Sequence, residues 1–195
     1  MPNPKKYNRE DVLDRAIEVF RRLGYSATST TELVDALGMN RKSLYAEFGS
    51  KQELFEAVLE RYSEINLSRV LAPIEAFDAD AASIRAAFLG YASASKTEFS
   101  GLGCLMANTA VERAALDPGS AKFVDAYLHR LSKGFRNALE NAQRDGDLNT
   151  DANLDDLAAH FVNSVVGISA LLRAKATPEM MYAASRGATS MIGTE

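Results

Sequence analysis

The sequence has no tryptophan and a single cysteine, Cys104, in 195 residues. One thiol cannot build an intrachain disulfide framework, so the fold must rest on its own core, and a reducing compartment is the expected setting. Histidine is almost as scarce: His129 and His160 are the only two. Neither pairs at helical spacing with a Cys, Asp or Glu cluster suited to zinc, so no metal and no cofactor is expected. Uninterrupted apolar runs fall short of the roughly 18 residues that a membrane span needs. The opening "MPNPKKYNRE" lacks the apolar segment of a secretory signal, which makes the cytoplasm the expected location and a membrane partner unexpected. Phosphate-cradling glycine loops, G-x-S-x-G elbows and catalytic triads are all missing, so an enzyme is not expected. Sustained apolar/polar alternation is missing too, and no sheet is predicted.

What is present reads as helix. With 47% hydrophobic and 25% charged residues the chain has the composition of an ordinary globular protein. Apolar spacing and turn chemistry predict an all-α fold of about nine helices, near 9–23, 30–37, 41–48, 51–72, 81–99, 103–116, 119–144, 151–174 and 178–192. Asn8, Ser29, Asn40 and Ser50 stand as N-caps, and Ser29/Glu32 and Ser50/Glu53 fit the capping box. Gly24 and Gly38 close the first two helices, and the fourth should stop before Pro73. The segment 151–174 carries apolar residues over more than one stripe, from Leu154 to Leu172. The segment 178–192 offers small and pliable residues, Met180, Ala183, Gly187 and Met191 among them. Together they suggest a self-association surface, the alternative being an interior helix in a nine-helix monomer. Asp155 and Asp156 suit the start of a helix, where negative charge is favoured.

The net charge of −4 argues at first against a nucleic-acid partner. Its distribution argues the other way. Residues 1–51 hold nine Lys/Arg against seven Asp/Glu, and the remainder thirteen against nineteen. Phosphate contact needs a local positive surface rather than a positive total. Within the basic part, "STTELVDALGMNRKSLYAEFGSK" joins two short helices through Gly38, the helix-turn-helix arrangement whose second helix enters the major groove. Leu33, Leu37, Met39, Leu44 and Phe48 supply the apolar joint. Arg41 and Lys42 suit guanine O6 and N7, and Ser43 can donate or accept. Tyr45 and Lys51 suit phosphate oxygens, as do Thr30 and Thr31 at a helix start.

From about Asn8 to Tyr62 the chain resembles the N-terminal domain of TetR-family (tetracycline-repressor-like) transcriptional regulators. The resemblance is carried by "A-x-x-x-F-x-x-x-G-Y", "T-T-E-L", "L-G-M" and "S-L-Y-x-x-F-x-S-K-x-x-L". It implies an Ω-shaped homodimer, with the positions of Thr31, Arg41, Lys42 and Ser43 near bases and those of Thr30, Tyr45 and Lys51 on phosphates. It implies a division into a DNA-binding domain, 1–50, and a regulatory and dimerisation domain, 51–195, whose last two long helices, 151–174 and 178–192, form the dimer interface. It further implies a double-stranded operator and a small-molecule effector that releases it, most relatives being repressors. Two positions depart from the family pattern. Val34 stands where alanine is common and is expected to hold the crossing helices slightly further apart. Glu47 stands where histidine or a neutral residue is common and would place a carboxylate near phosphate or against a cytosine amino group. Downstream, a "G-C-L-x-x-N-x-A-x-E" run from Gly103 to Glu112 is similar to a segment in one subgroup of the family.

A ligand pocket calls for aromatics with a few polar groups. Phe88, Tyr91, Cys104, Asn108, Phe123, Tyr127, His160 and Asn163 are the candidate walls, each equally open to a plain packing role. Cys104 reads as a packed thiol or as an electrophile or redox sensor. Two other functions stay open in the sequence: an architectural protein that coats or bends DNA without a ligand, and an all-helical small-molecule carrier or enzyme.

Overall fold

The computed structural model describes residues 7–192, so Lys5 and Lys6 of the basic segment and the last three residues lie outside the described residues. Helix α1, Arg9–Leu23, starts where Asn8 accepts from the Glu10 amide at 2.9 Å. It buries Val12, Leu13, Ala16, Ile17 and Phe20. Helices α2, Thr30–Leu37, and α3, Arg41–Phe48, close against it with Leu33, Leu37, Leu44 and Phe48 all buried. Helix α4, Lys51–Tyr62, completes this head and leads out of it. Arg61 near its end grips Asp14 of α1 with two hydrogen bonds, 2.6 and 2.8 Å.

A π-helical turn, Ser63–Leu67, joins α4 to α5, Ser68–Glu75, so one continuous rod replaces the single helix 51–72. Pro73 lies inside this rod rather than beyond its end. Proline deprives the helix of one hydrogen bond, at a cost of about 3 kcal/mol. Its neighbours Leu71 and Ile74 are buried while Pro73 itself is exposed, and packing carries the helix two residues further. Side chains of α8 then receive the chain: Asn137 donates to Ala76 O at 3.0 Å, and Asn141 to Phe77 O and Ala79 O at 2.9 and 2.7 Å.

The body is built around α8, Pro118–Asp145, a 28-residue helix, roughly 42 Å long at 1.5 Å per residue. Helices α6, Ala81–Ala94, α7, Leu105–Glu112, and α9, Leu154–Arg173, pack about it, and α10, Pro178–Thr189, lies across α6 and α9. Counting the rod once, the described residues form nine helical rods and no strand. The expected segments 81–99 and 103–116 end early, at Ala94 and Glu112, because the chain turns there through hydrogen-bonded loops. Phe88, Phe135 and Phe161 form the aromatic centre, with ring centroids 5.3 to 6.2 Å apart.

The apolar girth of α9 is used within the subunit. Ala158, Phe161, Val165, Ile168 and Leu172 are buried. Its open face consists of Ala159, Asn163, Gly167 and Ala170, and beside it α10 exposes Met180, Ala183 and Gly187. A Cβ added at Gly167 or Gly187 would meet nothing within 4 Å.

Acid should loosen this fold. Hydrogen bonding to Arg61 lowers the Asp14 carboxyl, and hydrogen bonding to Ser120 does the same for Asp117. A carboxyl whose folded pKa lies below its unfolded value contributes stability that is present above the unfolded value and lost as pH falls through the folded one. Thermal melting is expected to hold steady above about pH 5 and to fall progressively below about pH 4. The Asp117→Asn variant should show a shallower fall on the same series of melts.

Candidate nucleic-acid interface

Helix α2 begins with a complete capping box. Ser29 Oγ accepts from the Glu32 amide at 3.2 Å, and Glu32 accepts from the Ser29 amide at 2.6 Å. It ends at Gly38, with φ 64° and ψ 31°. This left-handed conformation opposes a side chain and reverses the chain within two residues. Asn40 then caps α3 by accepting from the Ser43 amide at 2.8 Å. With Leu44 and Phe48 turned into the head, the helical period leaves Arg41, Lys42 and Ala46 exposed and Ser43 and Tyr45 half-buried.

Arg41 and Lys42 form no ion pair with a carboxylate among the described residues. The Arg41 guanidinium lies 5.8 Å over the Tyr45 ring. Tyr45 is held in turn by a 2.9 Å hydrogen bond to Thr30 on α2, which lowers its phenol pKa. Thr30, Arg41 and Tyr45 therefore form one pre-set edge, with Thr31 exposed beside it and Lys42 and Ser43 on the same short helix. Lys51 is more committed. It donates to Tyr25 O at 2.6 Å and lies 4.2 Å over the Tyr25 ring, and burial together with repulsion from Arg113 lowers its pKa. An ammonium has three donors, so two remain.

One expectation changes. Glu47 does not face the open side of α3. Its carboxylate accepts from Tyr7 at 2.8 Å and lies 3.6 Å from Arg9, with 8% of the side chain exposed. It is spent on fastening α3 to the start of α1. Ala46, absent from the candidates, occupies the middle of the exposed face. Its signal was positional, four residues after Lys42, and its methyl suits contact with a thymine methyl. Val34 is half-buried at the joint, next to buried Leu33 and Leu37.

The eight candidate pocket residues separate into distinct places. Tyr91, Cys104 and Tyr127 do meet, together with Tyr62 at the end of α4. Tyr62 Oη lies 3.8 Å and Tyr127 Oη 3.9 Å from the Cys104 sulfur, and Tyr91 stands next to Tyr127. Burial drives all three phenols well up from their ordinary value. Phe88 joins the aromatic centre beside them. Phe123 is half-buried with Lys122 4.8 Å over its ring. His160 makes a 3.0 Å hydrogen bond with Ala188 O, tying α9 to α10. Asn108 donates to Leu102 O at 3.0 Å and lines a groove of about 510 Å³ at the meeting of α1, α7 and α9. Asn163 stands apart on the open face of α9, away from any such cluster.

The chain matches the family model for bacterial regulatory proteins of the tetR family over residues 12–58, and that for the tetracyclin repressor-like C-terminal domain over residues 81–188. It is 31% identical over 181 residues to the HTH-type transcriptional regulator YezE of Bacillus subtilis, with 92% of each chain covered. It is 31% identical over 187 residues to the HTH-type transcriptional repressor ComR of Escherichia coli, covering 91% of this chain and 85% of that one. A cysteine mutant of the TetR-family regulator CifR, solved in complex with 26-bp double-strand operator DNA, shares the fold with a TM-score of 0.84 at 23% identity, covering 96% and 98% of the two chains. A helix-turn-helix head on a helical body, matched along both parts and by relatives of its own length, makes this chain a member of the TetR family of transcriptional regulators.

Proposed function

We propose that the protein is a homodimeric repressor that places α3 of each subunit in the major groove of a palindromic operator and leaves it when a small molecule binds the body. The observation that carries this reading is the open face of α3. Two exposed cations have no carboxylate partner among the described residues, on a helix whose other face is buried and whose neighbouring tyrosine is already oriented. In this reading residues 1–50 are the DNA-binding domain and residues 51–195 the regulatory and dimerising one, working in the cytoplasm where the operator is. Arg41, Lys42 and Ser43 meet bases, Thr31 the same groove edge, and Thr30, Tyr45 and Lys51 phosphates.

The open, small-residue face of α9 and the exposed side of α10 suit a second copy, since small side chains let helices approach closely. The buried Tyr62–Cys104–Tyr127 group, with Phe88 and half-buried Tyr91 alongside, marks where the body can bind an effector with both aromatic and hydrogen-bonding contacts. Selection of bound duplexes from a random pool tests the reading as a whole. A two-fold symmetric sequence should emerge, with half-sites about one helical turn or somewhat more apart. Enrichment of no sequence would remove it.

Lys51 gives a second expectation. Lys51→Ala should weaken binding to selected and random duplexes alike, and should reduce the slope of log affinity against log salt by about one per subunit. Titration at a series of salt concentrations reads it. A slope equal to that of the wild type would take Lys51 off the phosphates and leave it only its hold on the Tyr25 turn.

A further inference from the structure

The "G-C-L-x-x-N-x-A-x-E" run forms the loop before α7 and α7 itself, and its last residue is in a poor place for a helix. Glu112 puts a carboxylate at the C-terminal end of α7, where the helix dipole disfavours negative charge. Its compensation comes from 87 residues away. Glu112 Oε2 accepts from the Tyr25 amide at 3.1 Å and Oε1 from the Ser26 amide at 2.7 Å. Two successive amides after Gly24, at φ 82°, make a backbone nest for an anion, and the protein fills it with its own side chain. A Cβ at Gly24 would come within 2.8 Å of Glu112 Oε2, so the nest also requires the glycine. Burial raises the Glu112 carboxyl, and the amide donors outweigh it, leaving the pKa below its ordinary value.

The next residue tightens the same joint. Arg113 lies 3.9 Å over the Tyr25 ring and donates to Gln52 on α4 at 2.7 Å. The far end of α7 is fastened as well, where Arg21 of α1 donates to Gly103 O at 3.0 Å. Arg173 of α9 donates to Arg21 O. Both ends of the run thus hold the head, and Tyr25 and Ser26 lie just before the Ser29 cap of α2. The rod of α4 and α5 also joins head to body, but one rod with a π-turn in it leaves rotation about its own axis to lateral contacts.

We propose that Glu112, through the Tyr25–Ser26 nest, is a positioning residue that fixes the angle of the head on the body, and so sets which half-site spacing the dimer accepts. This rests on the two-headed reading above. In a symmetric dimer the separation and facing of the two α3 helices follow from that angle. One added base pair moves the second half-site by about 3.4 Å and turns it by about one-tenth of a helical turn. A latched head cannot follow such a change, and an unlatched one can.

The test uses the full chain, Glu112→Gln and Glu112→Asp, with the duplex selected from the random pool and the same duplex carrying one central base pair more or fewer. The wild type should lose about tenfold or more in affinity on either change, about 1.4 kcal/mol. Glu112→Gln removes the charge, and Glu112→Asp keeps it while drawing it one methylene back from the amides. Both should bind the original duplex within about threefold of the wild type and lose less than about threefold on the altered ones. Helical circular dichroism and melting temperature confirm that each variant is folded, and either variant alone suffices. Wild-type discrimination retained by a folded variant overturns the latch and leaves the two-headed reading standing, as does an equal loss on all three duplexes. A wild type that is itself indifferent to spacing overturns that reading and the latch with it.

Discussion

Arg41→Ala is expected to weaken binding to the selected operator by about 1–3 kcal/mol for each half-site, and so by about 2–6 kcal/mol for a dimer that uses both. Random duplex should lose far less, because only one cation per subunit is removed from the electrostatic attraction. The expectation comes from geometry on the free protein. The guanidinium is exposed, lies 5.8 Å over the Tyr45 ring, and has no carboxylate among the described residues to leave before it meets a base. Tyr45 is fixed by Thr30, so little side-chain freedom has to be lost on that edge of α3. Titrating both duplexes at one salt concentration reads the two losses separately. An equal loss on both would reduce Arg41 to a phosphate contact.

The largest effect on stability is expected from Phe161→Ala. Phe161 is 0% exposed and its ring lies 5.3 Å from Phe135 and 5.7 Å from Phe88. Truncating a buried phenylalanine costs about 3–5 kcal/mol, through lost transfer energy and the cavity left behind. For a chain of this size that lowers Tm by roughly 6–20 °C at a fixed protomer concentration. Asn163→Ala, two residues along the same helix and on its open face, should leave the subunit's own packing untouched. A Tm for Phe161→Ala within about 2 °C of the wild type would mean that the body does not close around this aromatic centre.

The head was readable because its signals are local. Ser29 with Glu32, Asn40 before Arg41, and Gly38 between two apolar half-turns are short-range features, and each sits in the structure where the spacing put it. The face of α3 followed from period alone, with Leu44 and Phe48 fixing the buried side. Features that depend on partners far along the chain were not readable. Glu47 looked like a groove-facing carboxylate, and only the fold brings Tyr7 and Arg9 to it. Glu112 closed a recognisable run, but nothing near it in sequence announces the Tyr25 and Ser26 amides. Pro73 looked like a stop, and tertiary packing of Leu71 and Ile74 overrode the local rule. Tyr62 lay on the apolar side of α4 at the right period, yet its meeting with Cys104 needs α4 and α7 packed together.

The central claim is that the cationic face of α3 reads bases from the major groove. Methylation interference on the selected duplex addresses it directly, because methylation of guanine N7 obstructs that groove alone. Two clusters of interfering guanines, related by two-fold symmetry and about one helical turn or slightly more apart, are the predicted result. Binding that tolerates N7 methylation throughout, or is disturbed only by groups in the minor groove, would contradict the account.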